Sequence, residues 1–546
     1  MKRRDFLAGV TTAAAAGVLF PRTGWGRRTP APSHLQPHPF VEAHPESVFI
    51  RRTNVGDKLD TNAKRAEGLS FAREYFTGHE STGIPFSHAL AVKPNLTCTT
   101  GTGNTPEGMG IITDIDFMDG LFGGIRETGF PGYNMFAREA NWMANGYCTG
   151  EYLVTGQRMQ AVTAKHGMHL FDFPSGRNIY DMRFQDLQTG TEVIWRDVPD
   201  GVMFNRIGFL APCNDEQSWL LNIAKFKTHG MGMTLCTKNL QGMVVAPLVH
   251  FCEGLEATKN RSGAERSVFH ADIEQRVTEA YARHRAAGIP RWDRPETDGM
   301  GGLGMETWAH RTLDSIRVTN VGLNIIEGIY GRNGNGFTKG PGPNDTPQDF
   351  MSNVLIFGKD PLLVDVVGTW LAGHEPGNFG LFHLARERGL LGQMDPRRIP
   401  VYDWNGGTPQ LAVLEEMPRT PLVCPYLRRN YDGQSEEYYH LVNEPFDYST
   451  LSAAPAAGLP LHVHIKALTN PVRDSALIEY TLPRAGNAHI DLYDIRGSRV
   501  ASFSEGWKAE GTHTLRWHTG HLPAGLYIAR IASVSGNAHC RVTLLR

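Results

Sequence analysis

The chain has 546 residues, of which 41% are hydrophobic and 20% charged, and its 54 Lys+Arg nearly balance 56 Asp+Glu. A formal net charge of -2 supplies no global field for a nucleic acid or an anionic membrane surface. None of the seven cysteines sits at CxxC spacing, so no iron–sulfur cluster or zinc ribbon is expected, and their odd number leaves at least one thiol free or paired with another molecule.

In chain order, Lys2-Arg3-Arg4-Asp5-Phe6-Leu7 precedes an Ala-rich apolar stretch, Val10 to Phe20. That stretch is too short for a stable membrane span. The pattern resembles a twin-arginine export signal over residues 1–27, which implies passage through that machinery in a folded state. Residues 28–45, with Pro30, Pro32, Pro37 and Pro39, read as a Pro-rich linker.

Residues 46–405 alternate apolar strands with helical periodicity, which predicts an α/β domain with a mostly parallel sheet and flanking helices. The strand beginning at Leu90 ends in Lys93-Pro94-Asn95, and Pro94 cannot continue a central ladder. Lys93 and Asn95 therefore stand at a strand end, where open α/β sheets hold ligands. A Gly-rich loop from Gly101 to Gly110 leads to a predicted helix from Ile111 to Gly129. The apolar run Trp219-Leu220-Leu221 enters the densest stretch of functional residue types, Asn222 to Gly242. Lys225, Lys227 and His229 alternate there, so an extended chain would put them on one face. Thr228 lies between them, and Lys238-Asn239 follow a Gly-rich turn. Residues 253–312 read as a polar helical excursion with a loop near 299–304.

A buried strand from Val321 to Ile326 ends at Glu327. The glycine-rich loop that follows, Gly331 to Pro343, lacks the Lys-Ser/Thr end of a P-loop. A third strand–helix unit begins with the strand Asn353 to Phe357, which runs into Asp360-Pro361, an N-cap followed by proline at the first helical position. Asp365 then lies inside the apolar helix Leu362 to Gly373, where a carboxylate needs a partner. A lysine from the 225–238 stretch is the expected one.

Four of these stretches together resemble the family known as domain of unknown function 362: Val92 to Leu96, Lys225 to Gly242, Ile326 to Gly342, and Gly358 to Val367. Many members of that family carry ferredoxin-like cysteine clusters, and this chain departs from them in having none.

Residues 406–466 are heterogeneous and read as a linker region. From 467 to 546 short alternating strands recur at regular spacing, which predicts a small immunoglobulin-like β-sandwich. Asn470-Pro471, Leu492-Tyr493-Asp494, Trp517 and Ala524-Gly525-Leu526-Tyr527 resemble the C-terminal sorting domain of type IX secretion cargo. That resemblance implies the type IX machinery as a partner, transit through the periplasm, and a final place at the cell surface or outside the cell.

The functional expectation is an exported enzyme that binds a small anionic substrate or a metal-bearing cofactor in a Lys/His/Asp-lined cleft. His229, Lys227 and Lys238 are the catalytic candidates. Lys93, Asn95, Lys225, Thr228 and Asn239 are the substrate-binding candidates. A divalent metal would be held by His229, Glu327 and Asp365, and the cofactor's identity is open. The alternative is a non-catalytic surface protein that uses the same cleft to hold an anion.

Overall fold

The computed structural model describes residues 31–546 except 97–105, 141–150, 153–156, 171, 180–182, 246–253, 295–300, 337–338, 431–432, 452–462, 469, 483–485, 509–510, 521, 534–535 and 546. The twin-arginine reading of 1–27 and the first half of the Gly101 to Gly110 loop, 101–105, lie outside the described residues, while Pro106–Ile111 is a 3-10 helix. Among the described residues no helix is long and apolar enough to cross a membrane.

One nine-stranded sheet organises the main body. Its strands are β1 (Val48–Arg52), β2 (Ala89–Pro94), β3 (Met135–Ala137), β4 (Ser218–His229), β5 (Gly232–Met233), β6 (Leu323–Arg332), β7 (Asp349–Gly358), β8 (Val401–Asn405) and β9 (Thr408–Ala412). Their order is β9-β8-β1-β7-β6-β4-β2-β3, with β5 folded back on the end of β4. The sheet is mixed. Strands β6, β4, β2 and β3 form its parallel block, and β7 runs antiparallel between β6 and β1.

Strand β4 is buried on both faces, as parallel central strands are. Leu221 and Ile223 enter one apolar core, while Leu220, Ala224 and Phe226 enter the other. Helices α1 (Thr61–Tyr75) and α2 (Ile115–Glu127) supply the first core. Helices α3 (Ile273–Ala286), α4 (Gly302–Arg317), α5 (Pro361–Leu371) and α6 (Gly380–Glu387) supply the second. The boundaries follow local chemistry. The Asp114 carboxylate accepts from the Phe117 amide to start α2, and Gly129, at φ +94°, follows its end. Asp360 accepts from the Leu362 and Leu363 amides to start α5, the capping role expected of it.

The two stretches expected as connectors contain ordered structure. Within 28–45, His34–Pro37 is a strand and Pro39–Ala43 a helix, with Leu35 and Val41 fully buried. Within 406–466, β9 extends the sheet, and Leu422, Cys424, Tyr426 and Val442 enter the second core. Arg291, itself buried, binds Glu436 at 2.7 Å and Glu444 at 2.6 Å. These anchors are single apolar residues without a period, so composition hid them. The helical excursion is present as α3, α4 and two short helices, and α4 begins at Gly302, inside the expected loop.

The C-terminal region is antiparallel. A three-stranded sheet (His464–Ala467, Ser475–Leu482, Gly511–His518) and a four-stranded sheet (Gly486–Asp494, Arg499–Lys508, Gly525–Ser533, Gly536–Leu544) share one core that includes Ile478, Trp517, Ile490 and Val542.

Helices α1 and α2 approach through glycine. A Cβ at Gly68 would lie 2.0 Å from the Phe117 carbonyl oxygen, and one at Gly120 would lie 1.9 Å from that of Arg65. Both obstacles are backbone, so the helices must separate to admit a methyl group. Gly120→Ala is expected to destabilise the body by about 1–3 kcal/mol, read as a lower denaturant midpoint. An unchanged midpoint would mean that the two helices are not closely packed there.

Candidate functional site

The ends of β2, β4 and β6 hold an unusual density of buried charge. Lys93, Lys225, Lys227 and Glu327 are at most 2% exposed, as are Lys64 and Asp114 from the covering helices and the loop before α2. A buried ion costs several kcal/mol unless it is paired and hydrogen-bonded, so the partners decide what each group can do.

Lys225 is neutralised within the frame. Its Nζ lies 2.8 Å from Glu327 Oε2 and 3.4 Å from the centroid of the Tyr330 ring. Glu327 also accepts from the Asp114 and Ile329 amides. Asp114 takes Lys64 Nζ at 2.8 Å and the Tyr330 hydroxyl at 2.8 Å. Asp116 binds the same Lys64 at 2.8 Å, and burial together with Asp114 pushes its carboxyl up to about 6. Burial drives Lys225 down and Glu327 up, and the mutual attraction of the pair opposes both shifts.

Lys93 is neutralised in the same way. Its Nζ donates to Glu139 at 2.8 Å, to the Pro94 carbonyl at 2.5 Å and to Asn239 Oδ1 at 3.2 Å. Gly242 packs directly on this pair, since a Cβ there would lie 2.1 Å from Glu139 Oε1. Asn239 in turn donates to the Lys93 carbonyl and to Asn222 Oδ1, and Asn222 donates to Asn324 Oδ1 at 2.8 Å. This ladder of buried amides fixes the 236–239 segment to three neighbouring strands, β2, β4 and β6.

Asp365 does not meet a lysine, contrary to expectation. It accepts from the Cys236 amide at 2.7 Å, the Thr237 amide at 2.9 Å and the Thr237 hydroxyl at 2.5 Å. Burial outweighs those donors and pushes its carboxyl up to about 7. Thr228 Oγ1 faces the carbonyls of Arg332, Gly334 and Val423, so it ties three segments of chain together. Asn95 is placed by its backbone, whose N–H reaches Thr113 Oγ1 and the Ile223 carbonyl. The set expected for a metal, His229, Glu327 and Asp365, is not assembled. Among the described residues the one group of metal-type donors within mutual reach is His284, Glu306 and His310.

Lys227, His229 and Lys238 remain, and these do influence one another. Lys227 donates to the Ile111 carbonyl at 2.7 Å. Burial holds its ammonium well below the ordinary lysine range, and the charges of Lys238, Arg332 and Lys225 lower it further. His229 is likewise held well below its usual value, first by burial and then by Lys238 and Lys227. Its Nδ1 accepts from the Met231 amide at 3.2 Å, which leaves the ring proton to Nε2. A bulge between Lys225 and Lys227 lets β4 pair Lys225 with Glu327 but Lys227 with Arg332. That register break is what separates a neutralised lysine from one set among cations. Gly336, at φ +85°, closes over the group, and a Cβ there would lie 2.6 Å from the Thr228 carbonyl oxygen and 3.0 Å from His229 Cδ2. Lys238 is only partly buried.

Sequence reasoning missed Lys64, Asp114, Glu139, Arg332 and the Asn222–Asn324 pair. Lys64 had a signal, because it falls on the buried stripe of α1 with Gly68, Phe71, Ala72 and Tyr75. The polar Asn222 and Asn324 inside apolar strands were a second signal.

The Lys225–Glu327 pair gives a direct test of this frame. Glu327→Gln leaves a buried ammonium without its carboxylate and is expected to cost about 3–5 kcal/mol in urea unfolding. Adding Lys225→Met should recover part of that loss. A single variant as stable as the parent would show that the pair is not buried as described.

Two family profiles match the chain. One is Domain of unknown function (DUF362), over residues 90–370. The other is Secretion system C-terminal sorting domain, over residues 469–543, and a tail of this type IX class supports export to the cell surface or extracellular space. No curated protein matches the chain. Among solved structures, dimeric latent PorU from Porphyromonas gingivalis is 19% identical over 15% of this chain, with a TM-score of 0.14, and the chain spans 9% of its length. The human B7-H4 IgV-like domain is 14% identical over 15% of this chain and 95% of its own, with a TM-score of 0.12. Scores this low bear on neither fold nor function. Because the first profile spans more than half of the 546 residues and contains every strand end described above, the chain belongs to the family described as Domain of unknown function (DUF362).

Proposed function

We propose that this is an exported enzyme whose α/β body binds a small anion at the end of β4, among Lys227, Lys238 and His229. The observation that carries the reading is the charge balance around Lys227, a buried ammonium whose pKa is lowered by burial and then by Lys238 and Arg332. Nearby carboxylates are engaged with other cations: Glu327 with Lys225, Glu139 with Lys93, and Asp349 with Arg332 and Lys58. A carboxylate or phosphate entering beside Lys238 would be drawn by the grouped cations Lys227, Lys238 and Arg332.

His229 is the candidate catalytic side chain: held neutral near pH 7, with Nδ1 taken by the Met231 amide, its Nε2–H would donate a hydrogen bond to the bound anion. Lys93, Asn95, Lys225, Thr228 and Asn239 act as the frame that positions this group. The alternative, a non-catalytic anion-binding protein, draws support from the close cover of Gly336 over His229. Export would begin with the twin-arginine signal, pass through the periplasm and finish through the type IX tail. Two antiparallel sheets around one core support an immunoglobulin-like arrangement of that tail.

Calorimetric titration of the full chain with inorganic phosphate and with malonate tests the site. Saturable binding of at least one is expected, and Lys238→Ala should weaken it about tenfold, equivalent to ~1.4 kcal/mol. Equal affinity in parent and variant would remove the anion site. For catalysis, His229→Gln should abolish turnover of a carboxylate or phosphate substrate while retaining binding. A protein that binds but turns over none of a broad panel is the binder. In a bacterium with type IX machinery, a chain ending at residue 451 should remain in the periplasm while the full chain leaves the cell, as cell fractionation would show.

A further inference from the structure

A second cluster of ionisable side chains lies on the helical layer and takes no part in the anion site. Glu306 and His310 sit one turn apart on α4, His284 lies near the end of α3, and Glu387 ends α6. His284 and His310 are 3% exposed and Glu306 is fully buried. Both rings aim a nitrogen at the same carboxylate oxygen: His284 Nδ1 lies 2.8 Å and His310 Nε2 2.6 Å from Glu306 Oε1. The other oxygen, Oε2, accepts from Trp292 Nε1 at 2.6 Å. The remaining nitrogen of His284, Nε2, faces Glu387 Oε2 at 2.6 Å. One donor atom from each of His284, Glu306 and His310 lies within 4.8 Å of the others.

We propose that His284 Nδ1, His310 Nε2 and the Glu306 carboxylate form a binding site for a divalent first-row transition ion, with Glu387 orienting His284 from behind. Two imidazoles and one carboxylate are the donor set of zinc and non-haem iron sites, whereas magnesium and calcium favour all-oxygen shells. The outer contacts fit as well. A ligating histidine commonly donates its other N–H to a carboxylate, and His284 has Glu387 in that place. Glu306 has its second oxygen fixed by the Trp292 indole. Around a tetrahedral ion with bonds near 2.0–2.1 Å, donors stand about 3.3 Å apart. Each nitrogen therefore needs to part from Glu306 Oε1 by roughly half an ångström, which small side-chain rotations supply.

The ion would join α3 to α4 beside Trp292. That ring is already wedged against α6, where a Cβ at Gly380 would lie 2.0 Å from its Cζ3. The role that follows is a structural staple of the helical layer, with solvent completing the coordination. Protons alone are the competing occupant of the same contacts.

Chelator-stripped, tag-free full chain titrated with Co(II) alone, then with Zn(II) alone, decides between them. Expected are one equivalent of Co(II) with visible d–d absorption, its displacement by Zn(II), and a rise in Tm on loading. His310→Ala and Glu306→Gln should lose the stoichiometric ion, and His229→Ala should keep it. Glu387→Gln leaves the three ligands in place and should weaken affinity by about 10- to 100-fold, which keeps the test sound if a ligand variant fails to fold. Absence of saturable binding in the parent overturns the site, and so does full binding in both ligand variants or unchanged affinity in Glu387→Gln.

Discussion

A lysine buried at the end of a central strand needs a negative charge beside it, and most of this architecture follows from that requirement. Strand β4 carries Lys225 into the fully buried interior between the two helix layers. The answer comes from the neighbouring strand as Glu327 and from the cap of α2 as Asp114, which a second lysine on α1 balances in turn. The chain of alternating charge thus links two strands to two helices. It also explains why α1 and α2 pack with glycines at their contact, since Lys64 reaches Asp114 only if the helices are close.

The surroundings change two residues later. The bulge after Lys225 shifts the pairing so that Lys227 stands opposite Arg332 instead of a carboxylate. Arg332 itself is held by Asp349 at 2.7 Å, and Lys238 adds a further cation near the surface. The frame is overdetermined by ion pairs and amide ladders, and beside it Lys227, Lys238 and Arg332 lie close enough to act on one another.

Much of the frame was legible because it is local. The strand–loop–helix rhythm, the Asp360-Pro361 cap and the approximate end of α2 depend on residues a few positions apart, and each appears where the periodicity placed it. The gathering of Lys93, Lys225, Lys227 and Lys238 near strand ends was also readable. Partners were not. Glu139 meets Lys93 across 46 residues and Glu327 meets Lys225 across 102, and no spacing rule reaches that far. Asp365 misled for a related reason, because a carboxylate in an apolar helix suggests a cation when backbone amides of a distant turn serve equally well. The donor group on α3 and α4 was hidden because its histidines are 26 positions apart in a polar stretch that reads as solvated surface.

The segment after β9 has a consequence for how the molecule can be divided. Val423 offers its carbonyl to Thr228, and Glu436 and Glu444 hold a buried arginine beside α4. The family profile stops at residue 370, yet the folded body draws on the chain as far as Tyr448, whose hydroxyl contacts Glu375. Any cleavage between body and tail that leaves the body whole would fall beyond that tyrosine. An earlier cut would strip the wrapping that holds Thr228 in place, so the boundary that matters to the cell lies some eighty residues past the one drawn by sequence kinship.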